Sequence, residues 1–247
     1  MRKALPLVAA GITSFLLTLL ATLPASIVAT VLPPAITLGL TSGTLWNGSA
    51  DSLAVRGQSL GGLHWKLRPL SLFIGRLAFD GELLRSDGQA RGRLALGIGG
   101  RVSARNLDIH LPLSGLPAGI APRGWGGAVH AQLQSFELAP RAALRIVGSI
   151  ELRGLQAPPP GGAAIGSYAV TFPEAPASDG KLVGQLKDLE GPMQVSGTVT
   201  IAADRSYVIE GVVAPRAGAS QAVTDTLKFL GAPDAQGRRP FSLAGTY

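Results

Sequence analysis

GGLHWKL (residues 61–67) and RLAFDGEL (residues 76–83) alternate apolar side chains with polar or small ones. Alternation with a period of two is typical of a β-strand that has one packed face and one wet face. In the first stretch Trp65 lies between two leucines on the apolar face, and Lys66 lies on the polar face. The two stretches therefore predict half-buried β-strands.

The same alternation continues along the chain, in GRLALGI (92–98), LDIHL (107–111) and, at the C-terminus, FSLAGTY (241–247). About a dozen such runs, spaced roughly 8–15 residues apart, indicate an antiparallel sheet rather than alternating strands and helices. We therefore expect an all-β fold.

Glycine recurs within the apolar phase of these runs. Such a glycine usually marks a bulge, a bend or a close approach of two backbones. The repetition predicts a strongly curved sheet, although a tightly wound sandwich needs the same bends. The glycines concerned are Gly81, Gly148, Gly184, Gly197, Gly211 and Gly245.

An uncharged segment follows the basic pair Arg2 and Lys3, and the next charged residue is Asp51. Residues 7–31 are long and apolar enough to predict a membrane-spanning helix, which needs about 20 apolar residues. We expect Pro24 to kink this helix, because proline removes a backbone hydrogen bond.

The predicted anchor covers residues 1–33, because Pro33 and Pro34 cannot continue a helix. By the positive-inside rule the basic pair stays in the cytoplasm and the rest of the chain enters the periplasm. A cleaved signal peptide is the alternative, but its apolar core is usually only about 7–15 residues long. The sequence thus predicts a single-pass protein of the inner membrane.

Residues 34–247 are predicted to form the periplasmic β-rich domain. The Pro/Gly loop QAPPPGGAAIG (156–166) predicts a division of this domain into two β-halves, and a second such loop covers residues 114–127. One short helix is expected in SQAVTDTLKFLG (220–231), where Gly231 is placed to end it.

No recognised catalytic constellation is present. The chain has no cysteine, and it contains neither a nucleotide-binding loop nor a zinc-binding H-E-x-x-H motif. Asp80 and Glu82 share a strand face and are the one candidate acid–base pair, but a solvated edge with Arg76 and Arg85 nearby is the preferred interpretation. The NGS sequon at Asn47 is read as a turn. We expect no enzymatic activity, no metal site and no cofactor, since the three histidines are isolated in sequence: His64, His110 and His130.

Positive charge is concentrated in the first half of the predicted β-domain. Residues 51–153 carry 13 Lys and Arg against 7 Asp and Glu, whereas residues 154–247 carry 7 against 8. The basic residues stand singly without interleaved aromatics, so nucleic-acid binding is not predicted. We expect a basic surface that contacts lipid head groups or an acidic partner, with an ordinary solvated face as the alternative. Its residues are Arg56, Lys66, Arg68, Arg76, Arg91 and Arg93.

Three blocks of the sequence carry a family resemblance: LTSGTLWNGSAD (40–51), LGGLHWKLRPLSLFIGRLAFDGEL (60–83) and LKFLGAPDAQGRRPFSLAGTY (227–247). Together with the N-terminal anchor and the chain length, they resemble protein N of the bacterial type II secretion system, the GspN family. The resemblance implies a bitopic inner-membrane protein, accessory to a machine that exports folded proteins through an outer-membrane secretin. It implies the inner-membrane platform and the secretin as partners, and it supplies no catalytic residue.

The residues that carry the first two blocks are predicted to be structural. The glycines permit turn geometry. Trp46 is expected to pack as a large apolar side chain beside Trp65 and to lie near the membrane interface. The set is Gly43, Thr44, Leu45, Trp46, Gly48, Trp65, Arg68, Pro69 and Leu70. The alternative function is an envelope lipid-binding or lipid-transfer protein of the AsmA-like kind, whose apolar strand faces line a groove.

Overall fold

The computed structural model describes residues 4–116, 124–139, 144–160, 162–174 and 181–246. Its contacts divide the chain into two units, Met1–Arg85 and Ser86–Tyr247. In both units the described backbone consists of antiparallel strands with a few short helices. The predicted all-β class is confirmed for these residues.

Two helices open the first unit, α1 (Ala4–Ala21) and α2 (Ser26–Val31). The helical segment is broken around Pro24, where a kink was expected, and it ends at Val31. The next residue, Leu32, is extended, as residues before proline usually are.

The prediction of one continuous spanning helix over 7–31 finds no support in this arrangement. Within the ranges that the structure describes, no helix is long and apolar enough to cross a membrane. The physical reason for the break is tertiary, because the residues between the two helices hydrogen-bond to the sheet.

Five strands follow in the first unit, and β3 is paired on one side with both short strands and on the other with β4. β4 in turn pairs with β5, and every pairing is antiparallel. A 3₁₀ helix, Pro69–Ile74, joins β4 to β5. The strands are β1 Ile36–Leu38, β2 Thr41–Gly43, β3 Asn47–Val55, β4 Gln58–Arg68 and β5 Arg76–Arg85.

The described residues of the second unit form nine antiparallel strands in a meander, in which each strand pairs with its neighbours in sequence. It also has a short 3₁₀ helix, Leu113–Gly115, after β7. The strands are β6 Gly88–Gly97, β7 Val102–Pro112, β8 Gly126–Leu138, β9 Arg145–Gln156, β10 Ala164–Phe172, β11 Leu182–Glu190, β12 Met193–Ile201, β13 Ser206–Pro215 and β14 Arg239–Thr246.

Register shifts interrupt several of these pairings, including β3–β4, β6–β7, β8–β9 and β9–β10. An extra residue in one strand bends it and increases its twist. In β7 the irregular residue is Asn106, whose φ of 49° lies in the left-handed region that asparagine tolerates. Bending lets Leu133 of β8 and Leu182 of β11 share one buried cluster with Phe172.

Two of the glycines in the apolar phase, Gly184 and Gly245, lie beneath aromatic rings. A Cβ on Gly184 would lie 2.6 Å from Cε1 of Phe172, and Tyr207 covers Gly245 on the neighbouring strand. A ring over a glycine fills the space that the missing side chain leaves, and it strengthens cross-strand packing. These glycines are therefore packing positions, in addition to the bends that the sequence predicted.

The predicted C-terminal helix is confirmed as α3 (Gln221–Lys228). Ser220 caps it, since its Oγ accepts a hydrogen bond from the Val223 backbone N–H at 3.4 Å. Leu227 of α3 is buried against Val195 and Val213, so the helix covers part of the second unit's sheet.

The loop over 156–166 separates β9 from β10, and these two strands pair directly with each other. The division of residues 34–247 into two β-halves near this loop stays a prediction.

Candidate functional site: the junction of the N-terminal helices with the first sheet

The stretch TSGTLWNG forms a tight hairpin at the start of the first sheet. Gly43 of β2 pairs with Gly48 of β3, and its φ of 86° requires glycine. Between them, the Thr44 backbone N–H donates to the Asn47 carbonyl at 3.0 Å, and the Asn47 N–H donates to Thr44 Oγ1 at 3.2 Å. Asn47 thus closes a turn.

This hairpin is hydrogen-bonded to the segment between the two helices. The Leu45 backbone N–H donates to the Leu23 carbonyl at 2.8 Å, and the Ala25 N–H donates to the Gly43 carbonyl at 3.2 Å. Pro24 forms an isolated antiparallel bridge with Thr44 between these two bonds. The inter-helix segment therefore behaves as a short strand added to the first sheet.

A hydrogen bond from Trp46 connects the end of α1 to the same hairpin. Its indole Nε1–H donates to the Leu20 carbonyl at 2.8 Å. The last four carbonyls of a helix have no partner within the helix, so this bond satisfies one of them. The Trp46 carbonyl accepts from the Leu67 N–H at 2.7 Å, which ties the hairpin to β4 as well.

Trp65 is the centre of the packing beneath the hairpin. It is only 5% exposed, and its indole N–H donates to the Leu45 carbonyl at 3.1 Å. On β3 it pairs with Gly48 and on β5 with Gly81, so glycine lies on both sides of the ring. Ala25 at the start of α2 is buried in the same cluster.

The packing of Ala25 places the start of α2 in the core of the first unit, whereas the sequence-based boundary assigned residues 1–33 to the anchor. By contrast, the described side chains of α1 are exposed along the helix, and the large apolar ones are half-exposed or more: Ile12, Phe15, Leu16, Leu17, Leu19 and Leu20.

Arg68, Pro69 and Leu70 leave the sheet at the same end. Pro69 begins the 3₁₀ helix, where a missing N–H does no harm. Ser71 holds the turn in place, because its Oγ donates to the Arg68 carbonyl at 2.6 Å and accepts from the Ala78 N–H at 3.1 Å. Leu70 itself is 78% exposed.

The residues of the predicted basic surface are distributed unevenly. Lys66 and Arg68 are exposed on one face of β4, and Arg76 is exposed at the start of β5. Arg56 lies in the turn at the opposite end of β4, about 30 Å away along an 11-residue strand. Arg91 and Arg93 lie on β6 in the second unit. Within the first unit the fold brings Lys66, Arg68 and Arg76 to one end of β4 and leaves Arg56 at the other. Whether they contact a partner stays a prediction.

The carboxylate pair Asp80 and Glu82 lies opposite a lysine and a histidine. In the β4–β5 register Lys66 pairs with Asp80 and His64 pairs with Glu82. The Arg68 guanidinium donates to Asp80 Oδ2 at 2.8 Å, with both side chains well exposed. Opposite charges across a strand pair stabilise the sheet modestly, which gives Asp80 a structural role.

The second unit holds a polar network that the sequence did not indicate. The Arg91 guanidinium donates to Asp108 Oδ2 at 2.9 Å, and Asp108 Oδ1 lies 2.9 Å from Nε2 of His110. The pKa of Asp108 is lowered, chiefly by the hydrogen bond from Arg91. The His110 ring lies against the His130 ring, with centroids 4.5 Å apart and the ring planes tilted by 46°.

Burial is the largest cause that lowers the pKa of His130, and the neighbouring His110 lowers it further. Among the described residues there is no group of three or more His, Cys, Asp or Glu side chains that could hold a metal ion. The histidine pair was hidden in the sequence because His110 and His130 are 20 residues apart. Only the β7–β8 register places them opposite each other.

The junction partners of the motif were also missed. Trp46 and Trp65 were recognised as packed aromatics, but their acceptors, the Leu20 and Leu45 carbonyls, are backbone atoms that no side-chain pattern reveals. The charge-free composition around Pro24 was the available signal, and it was interpreted as membrane helix.

Comparison with known proteins agrees with the resemblance drawn from the motifs. The family model described as "Type II secretion system (T2SS), protein N" matches residues 34–242. The chain is 27% identical over 256 residues to the type II secretion system protein N of Aeromonas hydrophila, covering 99% of both chains. It is 29% identical over 234 residues to the protein of that name from Vibrio cholerae serotype O1, covering 90% of both. No solved structure matches significantly.

Proposed function

Because the chain belongs to the family of type II secretion system protein N, we propose that it is an accessory inner-membrane component that supports export of folded proteins by a scaffold or assembly role. The observation that carries the scaffold role is the junction. Three hydrogen bonds and one β-bridge from one hairpin hold the N-terminal helices against a sheet, so the first unit is built to present strands in a defined orientation to α1.

The placement at the inner membrane rests on α1. Its described side chains carry no charge, and large apolar residues such as Phe15 and Leu17 are more than 60% exposed. Leaving such side chains in water loses roughly 1.5–3 kcal/mol each relative to burial. We propose that the N-terminal segment enters the bilayer in a single pass, with Arg2 and Lys3 in the cytoplasm and the sheets in the periplasm.

The absence of cysteine makes this topology directly testable. A single cysteine at Ser59, which is exposed in β4, should react with a membrane-impermeant maleimide once the outer membrane is permeabilised. Lack of reaction until the inner membrane is also disrupted would refute the periplasmic placement.

The scaffold role predicts physical association with the inner-membrane platform and the secretin. The test compares a deletion strain complemented with the wild-type chain, with Trp46→Ala or with Trp125→Ala. We expect Trp46→Ala to reduce both secretion and crosslinking to the platform, because the tie to the Leu20 carbonyl is lost. Trp125 lies in the second unit and serves as the matched control. Unchanged secretion and complex composition on deletion of the whole chain would contradict a scaffold.

A second candidate, lipid binding of the AsmA-like kind, is favoured by one observation. The nine described strands of the second unit belong to a single sheet, and no second sheet lies over it among the residues described. Its strands leave large apolar side chains partly exposed, including Leu96, Leu189 and Leu243. Phospholipid that co-purifies stoichiometrically with the chain in a detergent-free preparation would support this function, and a lipid-free preparation would exclude it.

A further inference from the structure

The 3₁₀ helix Pro69–Ile74, here called the apolar tip, exposes four large apolar side chains within six residues, of which Leu72 at 46% is the least exposed. Phe73 is 87% exposed, Leu70 is 78% exposed and Ile74 is 70% exposed. Single exposed apolar residues are common on protein surfaces, whereas a contiguous group usually marks an interaction site.

The tip is held in a defined conformation. Ser71 bridges the Arg68 carbonyl and the Ala78 N–H. At the other end, the Gly75 N–H donates to the Leu72 carbonyl at 3.0 Å, and Gly75 adopts the left-handed conformation that ends the turn. The exposed side chains are therefore presented by an ordered backbone, which lowers the entropy lost when they bind.

The tip leaves the sheet at the same end as α1. It follows β4 directly, and Leu67 near the end of that strand donates its N–H to the Trp46 carbonyl at 2.7 Å. Trp46 in turn donates to the Leu20 carbonyl at the end of α1. Two exposed apolar elements, the tip and the helix, are thus connected through one tryptophan.

Basic side chains flank the tip on both strands, with Lys66 and Arg68 before it and Arg76 after it, all exposed. Apolar side chains beside cationic ones are typical of surfaces that enter the interface of an anionic bilayer. An acidic protein partner would satisfy the charges but would not require exposed Leu, Phe and Ile side chains beside an apolar helix.

We propose that the apolar tip inserts into the interface of an anionic phospholipid bilayer, as a second membrane contact that orients the first unit relative to α1. This inference rests on the proposed membrane location of α1. Lys66 and Arg76 attract the acidic head groups, while Phe73, Leu70 and Ile74 enter the acyl boundary.

The test uses single-cysteine variants of the full chain in lipid nanodiscs, each labelled with the environment-sensitive fluorophore NBD. Phe73→Cys reports the tip, and Ser59→Cys in the distant part of β4 is the matched control. Phe15→Cys reports α1. Nanodiscs contain phosphatidylcholine with or without phosphatidylglycerol, and nitroxide-labelled lipid serves as the quencher.

We expect the Phe73 label to shift to the blue and to be quenched by nitroxide lipid, as the Phe15 label is, while the Ser59 label is unaffected. Lys66→Gln and Arg76→Gln should each lower the ratio of docked to undocked tip about fivefold in phosphatidylglycerol nanodiscs. High salt should also lower this ratio, because it screens the attraction between the basic side chains and the acidic head groups.

A quenched Phe15 label with an unquenched Phe73 label would overturn the inference and leave the membrane location of α1 standing. If neither the Phe15 label nor the Phe73 label is quenched, both the inference about the tip and the membrane location of α1 are overturned. Equal quenching of the Phe73 label with and without phosphatidylglycerol would show that the basic residues do not recruit the tip, which contradicts the electrostatic part.

Discussion

At Gly48 a single added methyl group should damage the packing of the junction. A Cβ placed there would lie 2.5 Å from Cζ2 of Trp65 and 2.8 Å from the Thr44 carbonyl oxygen. Real Cβ atoms do not approach other atoms so closely, so either the indole or the hairpin must move. Gly62 on β4 is the matched control, because the nearest atom to a Cβ there is 3.5 Å away.

The two substitutions should change the free energy of unfolding in opposite directions. Forcing an extra methyl group into a packed site costs about 1–3 kcal/mol of unfolding free energy. At Gly62 the alanine fits, and it lowers the entropy of the unfolded chain, which stabilises by about 0.4–1 kcal/mol. We therefore expect Gly48→Ala and Gly62→Ala to differ by about 1.5–4 kcal/mol, with Gly48→Ala the less stable.

The assay is denaturant unfolding of the full chain in detergent, in a Trp125→Phe background, so that the remaining tryptophan emission comes from the first unit. Adding Trp65→Leu to Gly48→Ala should recover part of the loss, since the smaller side chain vacates the space, with a coupling of about 1 kcal/mol or more. Only part of the stability should be recovered, because the added Cβ still lies too close to the Thr44 carbonyl oxygen. Equal stability of Gly48→Ala and Gly62→Ala would refute the packing argument.

Three further predictions follow from other contacts. Trp46→Phe removes the hydrogen bond to the Leu20 carbonyl, which should destabilise by about 0.5–1.5 kcal/mol and speed amide exchange over residues 18–25. Because the folded-state pKa of His130 is lowered below its usual 6.5, the unfolded chain binds a proton that the folded chain refuses, so stability should fall as pH drops below about 6.5. His130→Gln should make this fall shallower in urea unfolding. Arg216→Ala removes the cation paired with Asp188, a carboxylate only 14% exposed, and should cost about 1–3 kcal/mol.

Each of these has an internal control. Trp125→Phe removes an indole in the second unit and should leave amide exchange over residues 18–25 unchanged. If Trp46→Phe and Trp125→Phe speed this exchange equally, the hydrogen bond from Trp46 to the Leu20 carbonyl does not stabilise the end of α1. Lys228→Ala breaks an exposed pair with Asp225 and should cost less than about 0.5 kcal/mol, so a loss equal to that of Arg216→Ala would show that burial of the pair is irrelevant. An unaltered pH dependence in His130→Gln would show that another group causes it.

Much of the fold was predictable because its signals are local. The pleat of a strand repeats every two residues, so alternation around Trp65 and along 241–247 predicted β4 and β14 directly. The apolar stripe through Leu227 and the glycine at residue 231 lie within a few residues of each other, and they predicted α3. The family resemblance was equally local, carried by short strings of residues.

The candidate site was predictable only in part. Trp46, Gly48 and Trp65 were identified as a structural motif, and the glycines of the apolar phase were expected to mark bends. Which ring covers which glycine depends on strand register, and a shift of one residue moves every side chain to the other face. The bulge at Asn106 makes such a shift, and no feature of the sequence marks it.

The sequence by itself determined which segments are strands, because the alternation, turn residues and caps act over a few neighbouring residues. Only the tertiary structure decided how the N-terminal apolar segment is divided. Leu23 and Leu45 are far apart in sequence, and their hydrogen bond forms once the hairpin has folded beside the helices. The tertiary structure also decided that the apolar tip is exposed, because Phe73 is solvent-accessible only as long as no other part of the folded chain packs over it.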